Sequence, residues 1–190
     1  MQIVFNGKVI LGTRARKTCS KSFQAFSSVN YPDLAVLQDE HLLQYITNEC
    51  GEKPVFYDRL GTNVGLLKLI PGTEKELVAF MAQRYDGLII ESFGVGGVPA
   101  GNKGGFYDRI RAACALGKIV AVTTQVQNEG SNLAVYDVGF HLKNDLQLLE
   151  AYDMTTEAAV TKLMWALGQT DDLDEVRAMF DRSLAGERAV

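Results

Sequence analysis

The sequence predicts an α/β fold in which a β-hairpin precedes a small parallel sheet with flanking helices. Three apolar runs, 64–70, 88–93 and 119–124, alternate with two stretches of helical pattern. Alternating strand and helix signals are typical of right-handed βαβ units, whose strands lie parallel. The runs are almost continuously apolar, which indicates strands that are buried on both faces.

Composition and charge argue against several classes of protein. The chain has 190 residues, enough for one sizeable core, with 19 Lys and Arg against 23 Asp and Glu. The net charge of −4 argues against a nucleic-acid binder that relies on bulk positive charge. No apolar run approaches the ~20 residues of a membrane span, and we see no secretory signal. The three cysteines are widely spaced, so we expect free thiols in the cytoplasm: Cys19, Cys50 and Cys114.

The first segment carries the hairpin signal. Asn6-Gly7 lies between two apolar runs and predicts a two-residue type I′ turn. Residues 37–61 are weakly patterned, and we interpret them as a linker with at most one short strand. An isolated hairpin is marginally stable in water. We therefore expect residues 1–36 to be poorly ordered, or swapped onto another chain, unless an N-terminal domain is present.

The two helices between the parallel strands have start and stop signals. Thr73 followed by Glu76 predicts a capping box at the first helix. Gly117 ends the second helix. The residues predicted to face the core are Leu77, Phe80, Met81 and Arg84 or Tyr85 in the first helix, and Phe106, Ile110, Ala113 and Cys114 in the second.

A short fourth strand within 146–150 and two C-terminal helices complete the predicted fold. One helix starts at Asp153 and the other follows Asp171-Asp172. The residues that they are expected to bury are Val160, Leu163, Met164 and Leu167, then Leu173, Val176, Phe180 and Leu184.

Ligands of open parallel sheets bind beyond the carboxyl ends of the strands. In this chain those ends carry a glycine loop and a polar run, so the candidate binding or interface residues are Gly94, Gly96, Thr123, Thr124 and Gln125. The dinucleotide fingerprint fails because Pro99 stands at its third glycine position. The two histidines, His41 and His141, are far apart, and we expect neither a metal nor a cofactor.

A basic cluster follows the hairpin: Arg14, Arg16, Lys17 and Lys21. From composition alone this is a solvated surface run. A lysine acts as a proton acceptor only where its surroundings favour the neutral amine, and spacing alone does not show that here.

Taken together, several stretches resemble the C-terminal half of the bacterial-type L-asparaginases, and especially the type I, cytoplasmic branch. They follow the order of that family across nearly the whole chain. The matching stretches are 4–17, 23–34, 66–72, 85–99, 120–125 and 153–163.

The resemblance implies a two-domain α/β protein. Residues 1–36 would be the terminal hairpin and loop of an N-terminal α/β domain, 37–61 a linker, and 62–190 a Rossmann-like C-terminal domain. The family hydrolyses L-asparagine through a threonine nucleophile and an acyl-enzyme. Its relay lysine matches Lys17. We accordingly expect L-asparagine as substrate and a homo-oligomer, with no nucleic-acid or membrane partner.

Two family motifs are missing from the sequence. The nucleophile's Gly-Gly-Thr-Ile and the relay's Gly-Thr-Asp-Thr do not occur, so we expect the chain to be inactive without an N-terminal half. Val126 stands where type I members carry an effector-site cysteine, which argues against that regulation.

Two alternatives remain open at this stage. One is a non-catalytic module for dimerisation or for binding a small ligand. The other is the asparaginase-like component of a glutamyl-tRNA amidotransferase, which the acidic balance and the lack of a tRNA-binding extension disfavour.

Overall fold

A computed structural model describes residues 1–47, 53–99, 105–135, 140, 143 and 145–189. Cys50 and His141 lie outside the described residues. The strands are β1 Gln2–Phe5, β2 Lys8–Leu11, β3 Ala15–Lys17, β4 Phe26–Ser28, β5 Ala35–Gln38, β6 His41–Gln44, β7 Val64–Lys68, β8 Gly87–Ser92, β9 Ile119–Thr124 and β10 Leu149–Glu150. The helices are α1 Glu76–Ala82, α2 Phe106–Ala115, α3 Thr156–Gln169 and α4 Leu173–Asp181.

The predicted parallel sheet is confirmed, with strand order β10-β9-β8-β7. Every residue of β8 and β9 is buried, as the continuous apolar runs predicted. One face packs against α1 and α2 around Ile90 and Ile110, and the other packs against α3 and α4 around Ile89 and Leu163. The fourth strand is confirmed over Leu149–Glu150.

Helix α1 differs from its prediction. Its N-cap is Lys75, and no side chain caps it. The Thr73 hydroxyl instead bonds the backbone of Ile70 in the turn after β7, so the predicted capping box is wrong. Val78 and Ala82 are buried, whereas Leu77 and Phe80 are about half exposed, because the helix starts later and presents another face.

The C-terminal helices follow the prediction more closely. Helix α3 begins at Thr156 and not at the predicted Asp153, and Thr155 caps it by accepting a hydrogen bond from the Ala158 N–H. Asp172 caps α4 by accepting from two N–H groups, as its sequence position suggested. The buried face of α3 contains the predicted Leu163 but otherwise consists of smaller residues and a lysine, whereas Val160, Met164 and Leu167 are only partly buried. In α4, Val176 and Phe180 are buried as predicted, Leu173 is partly buried, and Leu184 lies beyond the helix and is half exposed.

The N-terminal segment forms a four-stranded antiparallel sheet in the order β1-β2-β5-β6. The first hairpin is confirmed, since Asn6 and Gly7 have φ values of 49° and 72°. A second hairpin joins β5 to β6 through Asp39 and Glu40, which also have positive φ. Residues 37–61 therefore carry the second half of a hairpin in addition to the expected linker.

Residues 1–36 pack against the chain's own C-terminal lobe, contrary to the expectation that they would need another chain. The Thr13 hydroxyl donates to the Ala185 carbonyl at 2.8 Å, and the Asn30 amide donates to the Asp153 carbonyl at 3.0 Å. These contacts, together with an ion pair of Arg14, attach the segment that follows the first hairpin to the C-terminal lobe, so residues 1–36 have a packing partner within the chain.

Candidate functional site

Lys17 lies at the end of β3, in a two-stranded ribbon with β4. It stands opposite Phe26 in the register, and its side chain is exposed. The ribbon continues past Lys17, since the Thr18 N–H donates to the Ala25 carbonyl at 2.8 Å. The Lys17 amine is therefore held on an ordered strand and is accessible from solvent.

Arg14 lies three residues before Lys17 and is completely buried, so its assignment to a solvated surface run is wrong. Its Nη1 donates to the Asp153 carboxylate at 2.8 Å and to the Asp153 carbonyl at 3.0 Å. Its Nε donates to the Gly186 carbonyl at 2.7 Å. No local sequence signal could have found this pair, because its members are 139 positions apart.

The residues predicted at the carboxyl ends of the strands do come together, but they bond one another and the neighbouring backbone. The Thr124 hydroxyl donates to the Gly94 carbonyl, and the Gln125 amide donates to the carbonyls of Leu69 and Glu91. At Gly96, where φ is 131°, a Cβ atom would lie 2.7 Å from the Leu133 side chain. The buried Thr123 hydroxyl has no hydrogen-bond partner among the described residues.

Glu91 is a buried carboxylate at the end of β8 that the sequence analysis missed. It accepts from the Lys68 amine at 3.0 Å and from the Thr156 hydroxyl at 3.1 Å. These contacts join β7, β8 and the start of α3. The available signal was a single acidic residue at the end of a run that is otherwise apolar, since a buried charge requires a partner.

A cleft of about 480 Å³ lies between the N-terminal segment and α3. Tyr57 and Trp165 line it and contact each other edge to face, with ring centroids 5.1 Å apart. Lys162 and Glu187 also line it and form an ion pair at 2.6 Å. Burial acts to raise the Glu187 pKa, but hydrogen bonds from Lys162 and from backbone N–H groups outweigh it and hold the pKa below its ordinary value.

The structure thus separates the predicted site residues into two groups. Lys17 lies on the β3–β4 ribbon, and the strand-end residues lie on the parallel sheet. Among the described residues, no hydrogen bond or ion pair joins Lys17 to Gly94, Gly96 or the 123–125 run.

The part of the chain that the structure describes also contains no helix long and apolar enough to cross a membrane.

The α/β fold and the sequence both match a family of amidohydrolases. The sequence model of the glutaminase/asparaginase C-terminal domain matches residues 63–180, and that of the N-terminal asparaginase domain matches residues 1–49. The chain belongs to the asparaginase family.

Two curated relatives are similar to this chain. It is 38% identical over 186 residues to an L-asparaginase of Thermococcus kodakarensis, covering 97% of this chain and 56% of that protein. It is 34% identical over 181 residues to a component of the glutamyl-tRNA(Gln) amidotransferase of the same organism, covering 93% of this chain and 40% of that protein.

One solved structure is also similar, the thermostable L-asparaginase from Thermococcus kodakarensis. It has a TM-score of 0.93 and 35% identity over all of this chain and 57% of the other. This chain therefore spans little more than half the length of these asparaginases.

Proposed function

We propose that this chain is the C-terminal part of a cytoplasmic, type I asparaginase that releases ammonia from L-asparagine together with an N-terminal half. Lys17 is its relay amine. The observation that carries this proposal is the position of Lys17, exposed to solvent on the paired strands β3 and β4, in a chain of the asparaginase family. We further propose that residues 1–36 belong to the N-terminal domain and residues 62–190 to the C-terminal domain.

The proposed reaction divides the chemistry between the two halves. A hydroxyl nucleophile on the N-terminal half attacks the side-chain amide carbon, ammonia leaves, and water hydrolyses the acyl-enzyme. The Lys17 amine accepts and returns the proton of the nucleophilic relay. Since the Lys17 side chain is exposed, groups on a docked half can reach it.

An exposed apolar face supports docking of an N-terminal half. The antiparallel register places Val4, Leu37 and Leu42 on one face of the β1-β2-β5-β6 sheet. Their exposed fractions are 61%, 46% and 56%, and they line a shallow groove. All three lie within the stretch that matches the N-terminal asparaginase domain, so the rest of such a domain is the expected cover.

The test is ammonia release from L-asparagine by the purified chain, alone and mixed with the N-terminal half of a homologous asparaginase. We expect release only from the mixture. Lys17→Ala should lower the rate of the mixture by at least about 100-fold, because the relay loses its proton acceptor. Lys21→Ala, another exposed lysine of the same segment, is the matched control.

An unchanged rate of ammonia release by the mixture with Lys17→Ala would contradict the proposed role of Lys17 in the relay. Release by the chain alone would show that the nucleophile lies within these 190 residues. If the two halves associate without turnover, a binding module becomes the better interpretation, although the hydrogen bonding of Gly94, Thr124 and Gln125 leaves few polar groups for a ligand.

A second candidate function is that of the glutamyl-tRNA amidotransferase component, since a protein of that name is 34% identical to this chain. That function requires a protein partner and contact with tRNA. Binding of tRNA that weakens steeply with salt would favour it. Sedimentation of the purified chain tests the homo-oligomer that the family resemblance leads us to expect.

A further inference from the structure

Arg14 is the largest completely buried side chain of the described residues. A buried guanidinium is costly unless it is paired and hydrogen-bonded. Arg14 meets this requirement through Asp153 and Gly186, and its Cζ lies 5.4 Å from the centroid of the Tyr31 ring. Its Nη2 has no hydrogen-bond partner among the described residues, so the contacts of Nε and Nη1 satisfy only some of the guanidinium N–H donors.

The partners of Arg14 connect three separate parts of the chain. Asp153 precedes α3, and its carboxylate also accepts from the Ala189 N–H at 3.1 Å. Gly186 and Ala189 belong to the segment after α4. The guanidinium therefore joins the residues before α3, the segment after α4 and the residues before β3 in one buried network.

The same network contacts both strands of the β3–β4 ribbon, which carries Lys17. The Arg14 carbonyl accepts from the Val29 N–H at 2.9 Å, directly after β4. Asn30, the residue after Val29, donates to the Asp153 carbonyl that Arg14 also uses. A ribbon of two three-residue strands is marginal by itself, so its position depends on these anchors.

We propose that Arg14 is a positioning residue for Lys17. Its buried guanidinium fixes the β3–β4 ribbon on the C-terminal lobe and thereby sets where the Lys17 amine lies when an N-terminal half docks. Lys17 follows Arg14 by three residues, about 10 Å of extended chain, so a shift of the anchor moves the amine. This inference rests on the proposed function of Lys17.

The anchoring is tested on the 190-residue chain alone, by amide hydrogen exchange of Arg14→Lys. Lysine keeps the charge but cannot make the Nε and Nη1 contacts together. We expect at least about tenfold faster exchange in β3 and β4, with β8 and β9 unchanged. Arg16→Lys, a neighbour with a long ion pair to Glu157 at 3.6 Å, is the control.

Unchanged exchange in the ribbon, or faster exchange everywhere, would overturn the anchoring. If Arg14→Lys does not fold, Asp153→Asn replaces it, since that change keeps the carbonyl contacts, removes the charge and turns one accepting oxygen into an amide donor.

The action through Lys17 is tested in the mixture with an N-terminal half. Arg14→Lys should lower kcat at least about tenfold with KM unchanged, and should cause no further loss in a Lys17→Ala background. An additive loss in the double variant would mean a general structural role and would overturn the proposal. If the unmodified mixture releases no ammonia, the proposed function fails, and the exchange result still decides whether Arg14 anchors the ribbon.

Discussion

Glu187 and Lys162 form a buried ion pair, with each side chain about 6% exposed. The carboxylate also accepts from the N–H groups of Leu184 and Ala185, and the amine donates to the Arg182 carbonyl at 2.7 Å. The pair thus holds the segment after α4 on α3. Removing one member of such a pair leaves a buried charge without its partner.

Glu187→Gln should destabilise the chain by about 3 kcal/mol at neutral pH, because Lys162 loses its counter-ion. The folded-state pKa of Glu187 lies below its ordinary value of 4.5, so the ionised carboxylate stabilises the fold above that pH, and this contribution is lost as the pH falls through the folded pKa. Burial holds the pKa of the Lys162 amine below its ordinary value, so the pH dependence in acid is assigned to Glu187. Urea unfolding at pH 7 and at about pH 3 should therefore show the difference between the two proteins shrinking in acid.

Glu157→Gln is the control for that experiment, since Glu157 is largely exposed and should change stability by less than about 0.5 kcal/mol. A constant difference between Glu187→Gln and the unmodified chain across this pH range would contradict the assignment.

At the scale of single elements, the helix termini show where local sequence is decisive and where it is not. Asp172 and Thr155 cap their helices because the chain on either side already has the extended and helical geometry that a cap requires. Thr73 has a suitable residue type and a glutamate three positions later. Its hydroxyl nevertheless makes hydrogen bonds with the backbone N–H and carbonyl of Ile70, across the Pro71-Gly72 turn, and so does not cap α1.

Thr155→Ala should therefore cost about 1 kcal/mol of stability, and Thr155→Ser should restore most of it because the serine oxygen can accept from the Ala158 N–H. Thr73→Ala should cost less than about 0.5 kcal/mol, since its hydroxyl is exposed and caps no helix. Thermal and urea unfolding of the three variants measure this. Equal losses of stability for Thr73→Ala and Thr155→Ala would instead support the predicted capping box at Thr73.

The element order of the parallel sheet could be predicted because its strands are apolar on both faces and separated by clear turns. The β5–β6 hairpin could not, because its turn residues Asp39 and Glu40 are not the glycine-containing pairs that mark such turns. For the candidate site, the prediction of Lys17 came from the family resemblance. The burial of Arg14 could not be predicted, because its partners, Asp153 and Gly186, are distant in sequence.

At the scale of the whole molecule, one surface is covered and another is not. The N-terminal segment packs against the C-terminal lobe through Thr13, Arg14 and Asn30. The face of Val4, Leu37 and Leu42 has no such cover among the described residues. Val9 and Ala35 lie on the same face and are buried, so the exposed apolar side chains surround a packed centre, and we propose this face as an interaction site.

Leu42→Lys should weaken association with an N-terminal half at least about tenfold, because a charge would have to be buried at the apolar contact. The stability of the chain alone should change by less than about 0.5 kcal/mol, since Leu42 is already exposed. Leu116→Lys is the matched control, because Leu116 is also exposed but lies at the end of α2. Calorimetric titration measures both affinities, and equal values for the two variants would place the contact elsewhere.

The Arg14 network also has a consequence for the order of events during synthesis. The ribosome makes Arg14 172 positions before Gly186, and Ala189 follows later still. All strands of the parallel sheet have been made by then, so that sheet can fold first. The guanidinium gains its full set of carbonyl partners only when the segment after α4 has left the ribosome. A nascent chain thus lacks the Gly186 contact of the β3–β4 ribbon's anchor until that segment emerges, although the Asp153 contacts can form earlier.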